Sequence, residues 1–360
     1  MRSVTRKLAM TSAVAAVSLG VVAASMGTAS ADPTVTPNST DIVSVGSDTI
    51  QALDNGISSD RTGGYPGLAD GTGKYYSWDA TGSASITPKS GAGSIARPNG
   101  SGAGITELNA TTNSTVDIAR SSRGPNTGST DWFIPFAVDG VGWSSKTPTS
   151  TSPADTNGPK TLTSAELTGI YNCTYTTWAS LPTNHTASTD TIKVYLPQAS
   201  SGTRAFFLKA LGITATTEPC WESYGPEENE GTDAVFNDPD VIYPYSLSHY
   251  VGQAYDSKGG GSDLPGYLSP VRTLDTTAQI LTASQDWNSA LSGTYTRSVY
   301  HVVRQSDWSD ATEGPRLKGL LGRNNGTTGG WLCGTTGQAV VTSFGFHKLG
   351  SGCGTPQAGI

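Results

Sequence analysis

The chain has 360 residues, with 22 Lys or Arg against 29 Asp or Glu, a net charge of −7, four Cys and four His. That balance excludes the basic stripes that nucleic acids and anionic membrane surfaces require. It leaves room for a small buried anion, because a few local donors outweigh a distant field, and the length suits one large or two medium domains.

Residues 1–31 read as an export leader. Arg2, Arg6 and Lys7 give a basic start, Leu8 to Met26 is rich in Ala and Val, and Ala29-Ser30-Ala31 is a cleavage site before Asp32. Removing the leader's three basic residues leaves 19 basic against 29 acidic, a net of −10 for the mature chain. No Cys follows the apolar stretch to carry a lipid, and no later stretch approaches the roughly 18 apolar residues of a membrane helix. The expectation is a secreted or extracytoplasmic soluble protein with a cleaved signal peptide and no lipid anchor. Residues 32–40, rich in Pro, Thr and Ser, read as a disordered leader.

Asp41 to Gln51 reads as an apolar strand, then the turn Gly46-Ser47-Asp48-Thr49, then a helix, together spanning about 41–56. Residues 60–100 read as loops with short strands. Asn99 to Leu108 is a glycine-serine turn opening a short helix, and Val116 to Arg123 is an apolar run ending in Ser121, Ser122 and Arg123. Trp132 to Trp143 has β character, and Ser144 to Thr161 is a Ser/Thr/Pro linker. Leu162 to Tyr171 is a helix. Ile192 to Leu196 is a strand that leads through Ser200, Ser201, Gly202, Thr203 and Arg204 into a helix carrying Phe206, Phe207, Leu208, Ala210 and Leu211. Val241 to Tyr250 is a strand running into a helix, Asp256 to Gly266 a flexible loop, Ser298 to Arg304 a strand, and Gln338 to His347 a C-terminal helix.

Strands alternating with helices predict an α/β protein with a largely parallel sheet. Ligands of such sheets sit beyond the carboxyl ends of the strands, where all four hydroxyl-bearing turns fall. The first N–H groups of a helix lack partners inside it, and the helix dipole favours negative charge there. One such turn is usually only an N-cap; four from different parts of the chain predict a shared anion cradle. His185, His249, His301 and His347 are scattered singly, and there is no C-x-x-C, so no metal or cofactor is expected. There is no G-x-S-x-G elbow and no paired His/Asp cluster, so the chain is not expected to be an enzyme.

In this order the motifs resemble those of the phosphate-binding proteins of ABC transporters, members of the two-lobed type II periplasmic-binding-protein fold. The resemblance runs from about Asp41 to at least Tyr255. The family's Gly-x-Thr-Phe turn is matched by Gly46 to Thr49. Its Gly-Ser-Ser-Gly-Gly turn looks like Gly100 to Gly104, with Ser101 as the ligand-contacting serine, and its Val-Asp-Phe-Gly-Ala-Ser-Asp segment looks like Val116 to Ser122. Its aromatic Ile-Pro crossing strand resembles Phe133 to Trp143, and its Leu-x-x-Ile-Tyr…Trp segment resembles Leu167 to Tyr171 with Trp178. Its Gly-Ser-Gly-Thr anion turn is matched by Ser200 to Thr203, its Asn-Asp-Gly by Asn229 to Gly231, and its return strand by Ile242 to Tyr245. Two positions depart. The family's arginine, four residues before the serine of the anion turn, falls at Pro197, which leaves Arg204 and Arg123 as substitutes. The carboxylate that accepts the proton of hydrogen phosphate falls at Ser122, which leaves Asp48, its pKa held low by the turn's N–H groups.

The resemblance implies two lobes, each a mainly parallel sheet flanked by helices: 40–137 with 246–360, and 138–245. Crossings near Phe136–Val138 and Pro244–Ser246 would form the hinge. Ser47, Asp48, Thr49, Ser101, Ser122 and Arg123 would face Ser201, Gly202, Thr203 and Arg204 across bound phosphate. The four cysteines allow three pairings; Cys173–Cys220 and Cys333–Cys353 are preferred because each then lies within one lobe. The expected partners are inorganic phosphate and an ABC permease in the membrane, with no nucleic acid, for a monomer. The competing readings are a secreted phosphatase or other hydrolase acting on a related anion, and a binder of another oxyanion or a small acidic solute.

Overall fold

The computed structural model describes residues 32–67, 71, 73–110, 115–147, 156–183, 188–269, 272–275, 280–323 and 330–359. The expected leader of residues 1–31, His185 and residues 148–155 of the expected linker lie outside them.

Strand β1 (Ile42–Gly46) runs through the first turn into α1 (Gln51–Ile57), followed by the short strands β2 (Tyr75–Ser77), β3 (Ser85–Ile86) and β4 (Ile95–Ala96). Helix α2 (Ser101–Leu108), β5 (Ile118–Ser121), the long β6 (Asp131–Lys146), β7 (Thr161–Leu162) and α3 (Ser164–Tyr171) come next. Strand β8 (Lys193–Val194) leads to α4 (Gly202–Ala210), and β9 (Val241–Ser246) to α5 (Leu247–Tyr255). Then come β10 (Leu268–Ser269), β11 (Thr273–Leu274), β12 (Thr296–Arg304), α6 (Gln305–Ser309), α7 (Glu313–Leu321), α8 (Thr335–Ser343) and β13 (His347–Lys348). The order of strands and helices expected from the sequence is present. The strand expected over Ile192–Leu196 is only two residues long, and the C-terminal helix lies earlier than 338–347.

The main sheet has the order β2-β1-β5-β12-β6-β9-β8. The pairs β1–β2, β1–β5 and β8–β9 are parallel, as βα units require; β12 and β6 run antiparallel to their neighbours. The sheet is therefore mixed, with its parallel pairs on either side of two crossing strands. Strand β1 is buried along its whole length, as a strand covered on both faces must be. Strand β6 changes partner midway: residues 131–140 pair with β12, and residues 141–144 with β9. The β6–β12 register shifts where Tyr300 faces Pro135. A proline, having no N–H to give the ladder, is tolerated at such an irregularity.

That change of partner separates two cores. The first, around α1, α7 and α8, includes Ile42, Leu53, Ile118, Phe136, Val303 and Leu317, with Val45, Ala119, Phe133 and Val302 on the opposite face of the sheet. The second includes Trp143, Leu167, Tyr171, Trp178, Val194 and Phe207, with Phe236, Val241, Tyr243 and Tyr245 on its other face. Strand alternation makes this division: Ile242 faces one way, and Val241 and Tyr243 the other.

Three expectations are modified. Three short pieces grouped by sequence with the first lobe contact the second core: β10 pairs with the end of β6, β11 pairs with β7, and Leu274 and Tyr295 are buried there, whereas Ile280 and Trp287 pack on Leu247 and Val251 of α5. Residues 32–40, expected to be disordered, lie tied along the first core. Asp32 takes both Nη1 and Nη2 of Arg97 at 2.8 Å, and the Pro37 carbonyl accepts the Ser90 N–H. Residues 131–146 form one strand, so the expected linker from Ser144 starts inside β6. Both disulfides pair as preferred, Cys173–Cys220 and Cys333–Cys353, each beside one core.

Candidate anion-binding site

Two strands of the first core end side by side and open the site. At the end of β1, Gly46 has φ +116, and a Cβ there would come within 2.9 Å of the Arg120 carbonyl. Only glycine lets the chain turn at that point. The next residue, Ser47, donates its hydroxyl to Ser122 Oγ at 3.2 Å. Ser101, the first residue of α2, lies 3.3 Å from Ser122 Oγ and accepts the Ser122 N–H at 3.0 Å. Three turns far apart in sequence thus bring three hydroxyls together, all fully buried.

The fourth turn meets them from the second core. Ser201 caps α4, its side chain accepting the Arg204 N–H at 2.9 Å. A Cβ on Gly202 would overlap Ser101 Oγ and Ser122 Oγ, so the start of α4 seats directly on the serine cluster. Thr203 Oγ1 lies 3.1 Å from Thr49 Oγ1. Of the ten expected site residues, Ser47, Thr49, Ser101, Ser122, Ser201, Gly202 and Thr203 come together.

Arg204, Arg123 and Asp48 do not join them. Arg204 donates to the Pro197 carbonyl at 3.0 Å and the Thr216 carbonyl at 3.3 Å, with its guanidinium over Trp221. Its backbone serves the cap while its side chain lies along its own lobe. Arg123 donates to the Gly124 carbonyl and to Asn126. Asp48 is buried and takes Asn229 Nδ2 at 3.2 Å. Burial pushes its pKa well above the usual carboxylate range; His249 opposes this, and Asp263, Glu228 and Glu230 add to it. The sequence expectation was the reverse. The turn's N–H groups go elsewhere, Ser47 to the Arg120 carbonyl and Gln51 to the Asp48 carbonyl, so they do not stabilise the charged carboxylate.

An arginine outside the expected set reaches the hydroxyls: Arg297, at the start of β12. Its Nε and Nη2 donate to Asp139 Oδ2 at 2.9 and 2.8 Å, and Nη2 also donates to Thr203 Oγ1 at 2.9 Å. Asp139, on β6, is held in turn by the Ser246 hydroxyl and the Ser248 N–H. Arg297 Nη1 is buried with no partner. Sequence reasoning missed this pair. The available signal was that each charge interrupts an apolar strand, Asp139 within Trp132 to Trp143 and Arg297 just before Val299.

Glu228 was also missed. It is fully buried, and its Oε1 accepts from Ser201 Oγ at 2.7 Å, the Thr203 N–H at 2.8 Å and Thr49 Oγ1 at 3.4 Å. Its Oε2 has no partner. Further contacts join the two sides: Asn99 donates to both oxygens of Glu227, Gln198 donates to Asn99, and the Gly102 N–H donates to the Ser200 carbonyl. Beside this latch lies a cavity of about 600 Å³ bordered by Asp79, Glu227, Glu230 and Asp263.

The buried histidines serve structure. His249 bonds the Thr49 carbonyl through Nδ1 and Asp263 through Nε2, and His301 bonds Asp54. Burial alone would lower the pKa of His249, but the Asp263 carboxylate at 2.6 Å overrides it and lifts the group to about 10. A histidine held protonated is no general base. Among the described residues no cluster of three or more His, Cys, Asp or Glu could hold a metal, and no helix is long and apolar enough to cross a membrane.

A family model described as a PBP superfamily domain matches residues 79–307. No curated protein matches the chain. One similar solved structure, from Clostridium perfringens, is described as a phosphate ABC transporter substrate-binding protein with bound phosphate. It is 14% identical with TM-score 0.53, and the match covers 86% of this chain and 99% of that one. An ABC-type phosphate transport receptor from Vibrio cholerae is 16% identical with TM-score 0.50, over 86% of this chain and 99% of that one. Identities this low establish a shared fold.

Proposed function

The chain belongs to the PBP superfamily, and from that footing we propose that it is an exported, non-enzymatic receptor that captures inorganic phosphate between two lobes and delivers it to an ABC permease. One observation carries the reading: Ser47, Thr49, Ser101, Ser122, Ser201 and Thr203 from four turns meet at the start of α4 beside Arg297. Hydroxyls and helix N–H groups replace the water around the anion's oxygens, and a guanidinium adds charge-assisted bonds. The phosphate-related proteins that share the fold support this choice of anion.

The lobes are 40–137 with 246–360, and 138–245, with β10, β11 and Tyr295 bracing the second. The hinge is where β6 changes partner and where β9 passes into α5. An anion touching both lobes stabilises the closed arrangement by the contacts it makes only there. The leader of residues 1–31 is cleaved on export, and the mature protein works as a monomer without a lipid anchor.

The test is to release ligand from the purified protein by denaturation and assay for phosphate, then to titrate the stripped protein with phosphate, sulfate and arsenate by calorimetry. Phosphate released and rebound in preference to sulfate supports the reading. Binding of sulfate alone, or turnover of a chromogenic phosphate ester, would replace it.

A further inference from the structure

Glu228 brings an anion's chemistry into the cradle from within the chain. Its Oε1 draws on both sides of the cleft, taking Ser201 Oγ and the Thr203 N–H at the start of α4 and Thr49 Oγ1 after β1. These are donors assigned above to the bound oxyanion. The neighbouring residues fix the loop that delivers it. Glu227 is held by Asn99, Asn229 donates to Asp48, and the Ser246 N–H donates to Asn229 Oδ1.

The fit is incomplete. One carboxylate oxygen collects three donors while the other, Oε2, is buried with none, and Arg297 Nη1 is likewise buried and unpartnered. A carboxylate offers two oxygens in one plane, whereas these donors come from turns on several sides. A tetrahedral anion with four oxygens can serve more of them. Glu227 and Glu230, on the same loop, border the cavity of about 600 Å³, which gives the loop space to move into.

We propose that Glu228 is a tethered internal anion: it occupies the oxyanion's donors in the ligand-free protein, holds the cleft closed, and is displaced when phosphate binds. This rests on the reading of the cradle as a phosphate site. A tethered group competes at the effective concentration set by its loop. The apparent affinity for phosphate is lowered by the fraction of molecules whose cradle is free. Glu228 Oε1 already takes the Ser201, Thr203 and Thr49 donors that the anion would use, so displacement rather than sharing is expected.

The test compares the full mature wild type with Glu228→Ala and Glu228→Gln, each stripped of phosphate, by small-angle scattering and by calorimetric titration with inorganic phosphate. Wild type should be compact before and after phosphate. Glu228→Ala should be more extended until phosphate is added, and should bind it at least tenfold more tightly. Glu228→Gln keeps the side chain's shape and guards against a folding defect; it should also bind more tightly than wild type. Weaker phosphate binding in either variant would make Glu228 a ligand group and overturn the proposal. So would identical phosphate-free scattering of wild type and Glu228→Ala. The scattering comparison decides whether Glu228 holds the cleft closed even if no protein binds phosphate, a result that would defeat the proposed function and the displacement step with it.

Discussion

Arg297, which the sequence reading did not single out, reaches the hydroxyl cluster, and Arg204, which it did, turns away from it. Arg297 is buried against Asp139 and donates to Thr203, while Arg204 spends its guanidinium on backbone carbonyls and Trp221. Arg297→Ala should therefore weaken phosphate binding by about 1.5–3 kcal/mol, the range for a bond to a charged group. Arg204→Ala should leave affinity within about twofold, well under the 1.4 kcal/mol of a tenfold change. Arg297→Ala also strands Asp139 in the interior, so part of its effect falls on stability. Calorimetry alongside thermal unfolding separates the two, and Arg297→Lys retains a charge without the planar fork. Asp48→Asn is the complementary case. Asp48 bonds Asn229, not the serine cluster, so the phosphate-to-sulfate affinity ratio should move by less than about threefold. A tenfold fall in the ratio would restore Asp48 as the discriminating acid.

At the scale of elements, the site depends on how closely α4 approaches α2 and the end of β5. Gly202 sets that distance, since a methyl group there would overlap Ser101 Oγ and Ser122 Oγ. Protein interiors give little ground to added volume. Gly202→Ala should hold the lobes apart and cut phosphate affinity by more than about 100-fold, or about 2.7 kcal/mol. Each lobe's own core lies away from this contact, so circular dichroism should be unchanged. A variant that binds phosphate normally would show that α4 does not need to seat on the serines. Helix α3 belongs to the same scale. Thr163 and Glu166 form its reciprocal cap.

For the whole molecule, the acidic mouth of the cleft sets how stability depends on pH. His249 sits near pKa 10 against 6.5 unfolded. Burial, with Asp263 and Glu227 adding to it and Ser262 opposing, lifts Glu230 from 4.5 to about 7. Both groups hold protons more tightly folded than unfolded, so stability falls as pH rises. The Glu230 contribution is complete below about 4.5 and lost through about 7; that of His249 is complete below 6.5 and lost through about 10. The thermal midpoint should be highest in mild acid and decline in two stages, and His249→Asn should remove the alkaline stage. A midpoint that rose between pH 7 and 10 would contradict the His249–Asp263 pairing.

The α/β alternation, the positions of the hydroxyl turns and the cysteines available for pairing are legible from neighbouring residues alone. These are local properties. Apolar periodicity, capping chemistry and glycine at a positive φ are written in neighbouring residues, so Ser47, Ser101, Ser122 and Ser201 to Thr203 were legible as donors before any contact was known. Tertiary structure decided which charges joined them. Arg297 and Glu228 reach the cradle from β12 and from the loop after β8 and α4, far in sequence from the turns they serve. Arg204 and Arg123 stand next to those turns but point elsewhere. A long side chain's direction depends on what packs around its stem, and the cost of an unpaired buried charge is settled by partners brought from any distance along the chain. Adjacency in sequence placed the backbone and short hydroxyls of the site; only packing could place its guanidinium and its carboxylate.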